Sequence, residues 1–313
     1  MISQPDRPIL IVGPNPARDQ TSVIVDLIRG GTHRLTPVAD EYAGKAWNTA
    51  VMAARLGVAV TYLTFGFSDK AEIPSVPGLT LATVDVEAPL RQNWKLKDSG
   101  NITTEFNQSG GPISRAESEA LLHQHHELVK GHSLVLYCGS LPRGFEPHLL
   151  ADMIREAEQV GCFTMLDSSG DALKQGLGAG VSFIKPNLIE FSELVGREYS
   201  DLGNIREEVE QLFAEYSDLE QIVVTAGSSG SLSCTRTEAL RCEALTVPVS
   251  GTIGAGDSMM AGLAVARFHH YSHERSLKLG TACSGASVQV EGTGLGRKDE
   301  VNALLDRVVI HHL

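Results

Sequence analysis

Residues 250–262 read Ser-Gly-Thr-Ile-Gly-Ala-Gly-Asp-Ser-Met-Met-Ala-Gly. The β-branched run at 244–249 predicts a strand before this stretch, and Met260 and Leu263 begin a helical pattern within it. A strand, a glycine turn and a helix aim free backbone N–H groups at an anion, and the helix dipole adds positive potential there. Asp257 would repel a phosphate that is only bound, but it suits a general base that deprotonates an attacking hydroxyl. The stretch therefore favours a phosphotransferase.

From these residues alone an ordinary helix start remains open as an alternative. Aspartate is a common residue in the first turn of a helix, and glycines precede many helices that bind nothing. A dinucleotide-binding fingerprint fits poorly, because its third glycine would fall at Met259 and the stretch lies late in the chain.

The composition of the 313-residue chain limits its function further. Hydrophobic residues make up 42% of the chain, enough for a substantial core in one large α/β domain with an appendage or in two small domains. The net charge of −12 argues against nucleic acid or an anionic membrane as a partner. We recognise no signal peptide and no membrane-spanning run, and five scattered cysteines indicate reduced thiols in the cytoplasm.

Strand-like and helical segments alternate along much of the chain, which is typical of a parallel sheet with helices on both faces. The pattern predicts strands at residues 9–13, 58–65, 134–138, 162–167, 182–185 and 221–225, and helices at 45–56, 147–160, 188–195 and 202–216. Two segments, 20–39 and 84–108, break this alternation and carry clustered basic residues. We expect them to form a small projecting sheet, which we call the lid; two ordinary surface hairpins are the alternative.

Polar and glycine-rich motifs follow nearly all of these strands, where the ligands of such sheets bind. In chain order the motifs are Asn15-Pro16-Ala17-Arg18-Asp19, Gly44-Lys45-Ala46-Trp47-Asn48, Gly139-Ser140-Leu141-Pro142-Arg143-Gly144, Asp167-Ser168-Ser169-Gly170, Lys185-Pro186-Asn187 with Glu190, Thr225-Ala226-Gly227 with Gly230, Gly254-Ala255-Gly256-Asp257, and Glu291-Gly292-Thr293-Gly294. With these motifs the chain resembles the PfkB (ribokinase-like) carbohydrate kinases over almost its whole length, and most of all their phosphosugar branch. The resemblance implies a single domain over 1–313 with a ribokinase-like three-layer α/β/α fold, a mostly parallel central sheet and a β-sheet lid.

The resemblance also implies roles for residues of most of these motifs. The catalytic residues would be Asp257 as general base and Gly254, Ala255 and Gly256, whose amides, with that of residue 253, would hold the transferring phosphoryl group. ATP would bind Lys185, Asn187, Thr225, Gly227, Gly230 and Thr252, and Mg²⁺ would bind Glu190 and Asn187 through water. The sugar and its phosphate would bind Asp19, Arg34, Gly44, Lys45, Asn48, Arg91 and Ser140.

Arg91 and Ser140 are the residues from which we predict that the substrate itself carries a phosphate. They match phosphate-contacting residues of the phosphosugar branch, to which Lys45 and Arg34 could add charge, and arginine makes forked contacts with phosphate. The resemblance therefore implies that ATP phosphorylates a hydroxyl of fructose 1-phosphate, fructose 6-phosphate or tagatose 6-phosphate, in a homodimer that pairs through its lids. A kinase of an unphosphorylated sugar or nucleoside, and a non-catalytic sensor of sugar phosphate or nucleotide, are the alternatives.

The sequence departs from the family pattern at two places, both near residues expected to bind the sugar. The loop that reads Gly-Gly-Lys-Gly-Ile-Asn in the family reads Ala-Gly-Lys-Ala-Trp-Asn at 43–48, so Trp47 either joins the core or narrows the pocket. Prolines within 66–83 predict that the family's helix there is reduced or absent. Four histidines at 123, 125, 126 and 132 are interpreted as a solvated helix face rather than a metal site.

Overall fold

The computed structural model describes residues 7–69, 72–100, 102–290, 292 and 294–313. The strands are β1 (Ile9–Val12), β2 (Ala17–Val23), β3 (Thr36–Ala43), β4 (Val60–Gly66), β5 (Leu79–Asp85), β6 (Arg91–Lys97), β7 (Thr103–Asn107), β8 (Leu134–Cys138), β9 (Phe163–Asp167), β10 (Phe183–Ile184), β11 (Gln221–Thr225), β12 (Ser231–Thr235), β13 (Ala239–Cys242) and β14 (Ile310–His312). The helices are α1 (Lys45–Leu56), α2 (Arg115–Val129), α3 (Pro147–Gln159), α4 (Gly170–Gly178), α5 (Leu188–Val195), α6 (Arg206–Glu215), α7 (Ala255–Phe268), α8 (His273–Ser287) and α9 (Lys298–Leu304).

Ten of the described strands form one sheet in the order β14-β13-β12-β11-β10-β9-β8-β1-β4-β5. The seven strands from β11 to β5 in this order run parallel, and β12, β13 and β14 extend the sheet with antiparallel pairs. The predicted α/β class with a mostly parallel central sheet is therefore confirmed.

The side chains of β1 alternate between two hydrophobic cores, because successive residues of a strand point to opposite faces of the sheet. Ile9 and Ile11 belong to a core that includes residues of α1, α7 and α8, whereas Leu10 and Val12 belong to a core with residues of α2, α3 and α4. Helices thus cover both faces of the central sheet, which explains why the central strands β1 and β8 are buried along their whole length. The predicted three layers are confirmed.

Four further strands form a separate sheet in the order β3-β2-β6-β7. In this second sheet β2 pairs in parallel with β6 and antiparallel with β3, and Ala17 of β2 lies opposite Ala43, just before α1. The strands come from both segments predicted to form a small sheet, although β2 starts earlier, at Ala17, and residues 84–85 belong to β5 of the main sheet.

The prediction of a strand at 244–249 is wrong. β13 ends at Cys242, and residues 244–249 pair with no strand that the structure describes. The helix predicted at 202–216 begins only at Arg206, after a turn in which the Asp201 carboxylate accepts a hydrogen bond from the Gly203 N–H. Among the described residues between β4 and β5 no helix forms, as the prolines predicted.

The interpretation of the four histidines as a solvated face is wrong for two of them. His125 is fully buried, with Nδ1 2.9 Å from Glu156 Oε2 and Nε2 2.9 Å from the Tyr137 hydroxyl. His132 is buried as well, and its Nε2 lies 3.0 Å from the Thr61 hydroxyl. Within the described ranges no group of three or more histidine, cysteine or acidic side chains could hold a metal ion.

Trp47 joins the core, and it also lines a cavity with Asn48, one of the residues predicted to bind the sugar. Its side chain is 6% exposed, and its ring packs edge-on against Tyr42, with a centroid distance of 5.0 Å, and against Tyr62 at 5.9 Å. Of the helices that the structure describes, none is long and apolar enough to cross a membrane.

Candidate active site

A cleft of about 680 Å³ opens where β9, β10 and β11 end and α7 begins. Residues 244–249, predicted as a strand, instead supply an apolar wall of this cleft through Leu245, Val247 and Val249. The predicted site residues that line it are Lys45, Lys185, Asn187, Glu190, Thr225, Gly227, Gly230, Thr252, Ala255, Gly256 and Asp257. The structure therefore brings together the residues predicted for ATP and metal and three of the four predicted catalytic residues, whereas Gly254 does not line the cleft.

The N-terminus of α7 lies at one end of the cleft. Gly254 precedes the helix with φ 74°, in the left-handed region that glycine adopts without strain. The first N–H groups of a helix lack intrahelical acceptors, and Ala255 and Gly256 both line the cleft, where the Ala255 N–H makes one long hydrogen bond of 3.4 Å to the Thr252 carbonyl. A Cβ atom at Gly256 would lie 3.6 Å from Lys185 Nζ, so a second positive group stands beside the same turn.

Asp257 lies in the first turn of α7 and is only 7% exposed. Burial, and after it the negative charge of Asp167, together raise the pKa of its carboxyl to about 6 against the opposing effects of Lys45, Asn48 and Lys185. Asn48 donates a hydrogen bond from Nδ2 to Asp257 Oδ2 at 2.8 Å. At neutral pH this carboxylate is ionised, yet it is a stronger base than an ordinary aspartate, which suits proton abstraction.

Asp167 stands at the end of β9, in a motif to which the sequence assigned no role. It is 1% exposed and forms ion pairs with two lysines, 3.0 Å from Oδ1 to Lys45 Nζ and 2.9 Å from Oδ2 to Lys185 Nζ. Burial alone would raise the pKa of the Asp167 carboxyl, but Lys185 and Lys45 outweigh burial and hold that pKa below its ordinary value. Sequence spacing could not reveal this triad, because 122 residues separate Lys45 from Asp167.

A second pocket of about 210 Å³ adjoins the cleft, and Lys45 and Glu190 line both. Its other predicted residues are Gly44, Arg91 and Ser140, and its further lining includes Asn15, Gly139, Ser168 and Ser169. Asp167 raises the pKa of the Lys45 ammonium far above its usual range, so this lysine stays charged at the junction. A phosphate in the small pocket would therefore meet Arg91, Lys45 and the Ser140 hydroxyl.

A family model described as "pfkB family carbohydrate kinase" matches residues 18–300. The chain belongs to the pfkB family. It is 29% identical over 303 residues to a protein of Vibrio cholerae named 1-phosphofructokinase, covering 96% of this chain and 95% of that protein. The structure of phosphofructokinase-2 from Escherichia coli in complex with substrates and products matches with a TM-score of 0.86 and 25% identity, over 96% of this chain and 99% of the other.

The ribokinase-like fold is confirmed by a third comparison. The structure of Arabidopsis thaliana ribokinase complexed with ribose and ATP matches with a TM-score of 0.76, over 95% of this chain and 98% of the other. At 21% identity this match supports the fold alone. Both the family and the kinase class predicted from the motifs are confirmed for this pfkB member.

Asn187 and Glu190 lie in this pfkB chain as a capping box at the start of α5. Asn187 Oδ1 accepts a hydrogen bond from the Glu190 N–H, and Glu190 Oε2 accepts one from the Asn187 N–H, each at 2.9 Å. Glu190 Oε1 points instead toward Lys45 Nζ, 3.5 Å away. The pair therefore presents one carboxylate oxygen to the cleft, held by a rigid helix start.

Asp19 and Arg34 do not line either the cleft or the small pocket of this pfkB chain. The Asp19 carboxylate is buried in the second sheet, where it forms an ion pair with Lys95 and accepts a hydrogen bond from Asn93 Nδ2 at 2.8 Å. Arg34 is exposed on the loop between β2 and β3. Of the last predicted motif, Glu291 and Thr293 lie outside the described residues.

Proposed function

We propose that this chain transfers the γ-phosphoryl group of ATP to a hydroxyl of a phosphorylated ketose: fructose 1-phosphate, fructose 6-phosphate or tagatose 6-phosphate. The observation that carries this proposal is the small pocket with Arg91, Ser140 and Lys45, which opens at Lys45 onto the cleft that holds Asp257. A sugar whose phosphate fills the small pocket can present a hydroxyl to Asp257 across that junction. The relatives named 1-phosphofructokinase and phosphofructokinase-2 support a phosphorylated fructose.

In the proposed reaction Asp257 takes the proton of the acceptor hydroxyl while its oxygen attacks the γ-phosphorus, and the bond to the β-phosphate oxygen breaks to release ADP. The amides of residues 253–256 and the Lys185 ammonium stabilise the charge that spreads over the transferring phosphoryl oxygens. Asn48, one of the residues predicted to bind the sugar, orients the Asp257 carboxylate through its hydrogen bond.

Mg²⁺ fits beside Glu190. Its Oε1 faces the cleft next to a single lysine, and a carboxylate oxygen is the ligand type that Mg²⁺ prefers. The Asn187 side chain is committed to capping α5, so we assign it the task of fixing Glu190, with the ion held through water. Bound there, Mg²⁺ would neutralise charge on the ATP phosphates. The wall at 244–249 and the loop with Thr225, Gly227 and Gly230 would hold the nucleoside.

We propose further that the chain is one domain, that the second sheet is a lid that excludes water, and that two lids pair in a homodimer. Support comes from the apolar side chains that the second sheet and its loops expose: Val23, Val25, Leu27, Ile28, Leu35, Val38, Ile102 and Phe106. Arg34, on one of these loops, could then reach a site only across the dimer. A cytoplasmic location accords with five cysteines that are all free and buried.

The test is ADP release from ATP–Mg²⁺ with fructose 1-phosphate, fructose 6-phosphate, tagatose 6-phosphate, fructose, ribose and adenosine. We expect turnover only with phosphorylated ketoses, and a fall in kcat/KM of about 10- to 100-fold in Arg91→Ala, since charge-assisted hydrogen bonds to the phosphate are lost. Arg115→Ala, which removes an exposed arginine of α2, is the matched control and should match wild type. Turnover confined to unphosphorylated sugars or nucleosides would refute the substrate assignment.

A further inference from the structure

Asn15 contacts both groups to which we assign the substrate phosphate. It lies on the loop after β1, half-buried between Pro14 and Pro16, and the proline that follows restricts its backbone to extended conformations. Its backbone carbonyl accepts hydrogen bonds from Arg91 Nε at 3.3 Å and Nη2 at 3.1 Å. Its side-chain Nδ2 donates to Ser140 Oγ at 2.9 Å, across 125 residues of sequence.

The hydrogen bond from Asn15 decides what the Ser140 hydroxyl can do. A serine hydroxyl has one proton to donate and two lone pairs that accept. Because one lone pair accepts from Asn15 Nδ2, the proton must point elsewhere, and it has no acceptor within the part of the chain that the structure describes. Ser140 is exposed and lines the same pocket as Arg91, so this proton is available to an anion there.

We propose that Asn15 is a positioning residue that fixes Ser140 as a hydrogen-bond donor to the phosphate of the substrate. This inference rests on the proposed function, which it deepens by naming what orients the phosphate site. The role needs an amide: a carboxylate at the same place would accept from Ser140, turn its proton away from the pocket and add a negative charge beside the phosphate.

A substitution at Asn15 separates its two contacts. The carbonyl that holds Arg91 belongs to the backbone and remains in any variant, and Arg91 Nε keeps a further bond to the Pro16 carbonyl at 3.1 Å. Only the contact with Ser140 is lost when the side chain is shortened. The effect of such a variant therefore reports on Ser140 and not on the arginine.

A double-mutant cycle tests the inference, with Asn15→Ala, Ser140→Ala and the double variant assayed for kcat and for the KM of each substrate. We expect each single variant to raise the KM for the phosphosugar about tenfold, the size of one hydrogen bond, with the KM for ATP and kcat unchanged. The double variant should be no worse than Ser140→Ala. Effects that multiply in the double variant would overturn the inference, as would an Asn15→Ala enzyme with wild-type KM.

Further measurements separate this result from a loss of folding and from a failure of the proposed function. Thermal unfolding of each variant checks the fold, and Asn15→Ser, which removes the amide but keeps a polar side chain, carries the same expectation. Asn15→Asp should raise the KM for the phosphosugar more than Asn15→Ala does. Wild-type turnover of phosphosugars with multiplying effects overturns this inference alone, whereas wild-type turnover only of unphosphorylated sugars overturns the proposed function with it.

Discussion

Asn48 Nδ2 donates to Asp257 Oδ2 at 2.8 Å, and this bond joins the first turns of two helices, α1 and α7. The Thr49 hydroxyl donates to the Lys45 carbonyl of its own helix at 2.8 Å and also lies 3.3 Å from the Asp257 carbonyl oxygen, so the two helices are in close contact here. Both Asn48 and Asp257 are buried, so the carboxylate has little freedom to rotate. Helix α1, which begins within the loop at 43–48, thus holds the side chain of the proposed base, Asp257, in place.

The first prediction concerns the base itself. Asp257→Asn keeps the shape of the side chain but removes the proton acceptor, and general-base catalysis is worth about 10²–10⁴-fold in rate. We expect kcat to fall within that range while ATP binding, measured by calorimetry, is largely retained. A variant with wild-type turnover would show that the base assignment is wrong, and a wild-type chain that binds nucleotide without turnover on any sugar would favour the sensor.

The second prediction concerns the pH dependence of kcat/KM. Because burial raises the pKa of Asp257 to about 6 and the base must be ionised, activity should fall as pH drops through about 6. The Asn48 hydrogen bond lowers this pKa, so Asn48→Ala should move the acidic limb of the profile to higher pH. The quantity to compare between variant and wild type is the pH at the midpoint of the acidic limb, and not the absolute value of kcat/KM. An unmoved or acid-shifted limb would contradict the proposed contact between Asn48 and the base.

The third prediction compares the loss of stability on replacing each of two glycines of the proposed nucleotide loop by alanine. A Cβ at Gly230 would lie 2.1 Å from the Cys242 carbonyl oxygen, at φ +83°, whereas at Gly227, with φ +53°, it would meet nothing within 4 Å. Gly230→Ala should lower the free energy of unfolding by about 3 kcal/mol or more, through clash and strain together. Gly227→Ala should lower it by about 1–2 kcal/mol, through strain alone. Urea denaturation of both variants measures the difference, and equal losses would contradict the packing described here.

The fourth prediction concerns stability in acid. Burial lowers the pKa values of both His125 and His132 below the ordinary histidine value. Between that ordinary value and the lower folded one, the unfolded chain binds protons that the folded chain does not, so stability is present above about pH 6.5 and is lost as pH falls. The free energy of unfolding should therefore decrease from pH 7.5 to 5.5.

Substitutions test whether the buried histidines cause this loss of stability in acid. His125→Gln should lose less stability over the same pH interval than wild type, because its side chain cannot take up a proton. His123→Gln, which changes an exposed histidine of the same helix, is the matched control and should keep the wild-type pH dependence. A His125→Gln curve parallel to that of wild type would show that other groups cause the loss.

The sequence predicted those parts of the fold that depend on local patterns. Strands β8 and β11 and helices α1 and α5 have the predicted bounds, because apolar runs and glycine stops mark them in the chain itself. The predicted strand at 244–249 does not form, because β-branched residues favour extended backbone but a strand also needs another strand to pair with, which the local sequence does not reveal.

The parts of the site that could not be predicted depend on partners distant in the chain. Asp167 follows a strand, yet its role as the anchor of two lysines depends on residues 45 and 185 meeting at one sheet edge. His125 is polar by sequence, and only the approach of Glu156 and Tyr137 allows its burial. Asn15 belongs to the motif that follows β1, but its contact with Ser140 joins two strand ends that the topology brings side by side.

Lys45 lines both the large cleft and the small pocket, with its ammonium held between Asp167 and Glu190. The positive charge of Lys45 acts on both the cleft and the small pocket. An anion that binds in one of them therefore changes the electrostatic potential that an anion meets in the other. We therefore expect the nucleotide and the sugar phosphate to alter each other's affinity, and a ternary complex whose stability is not the sum of its two binary ones.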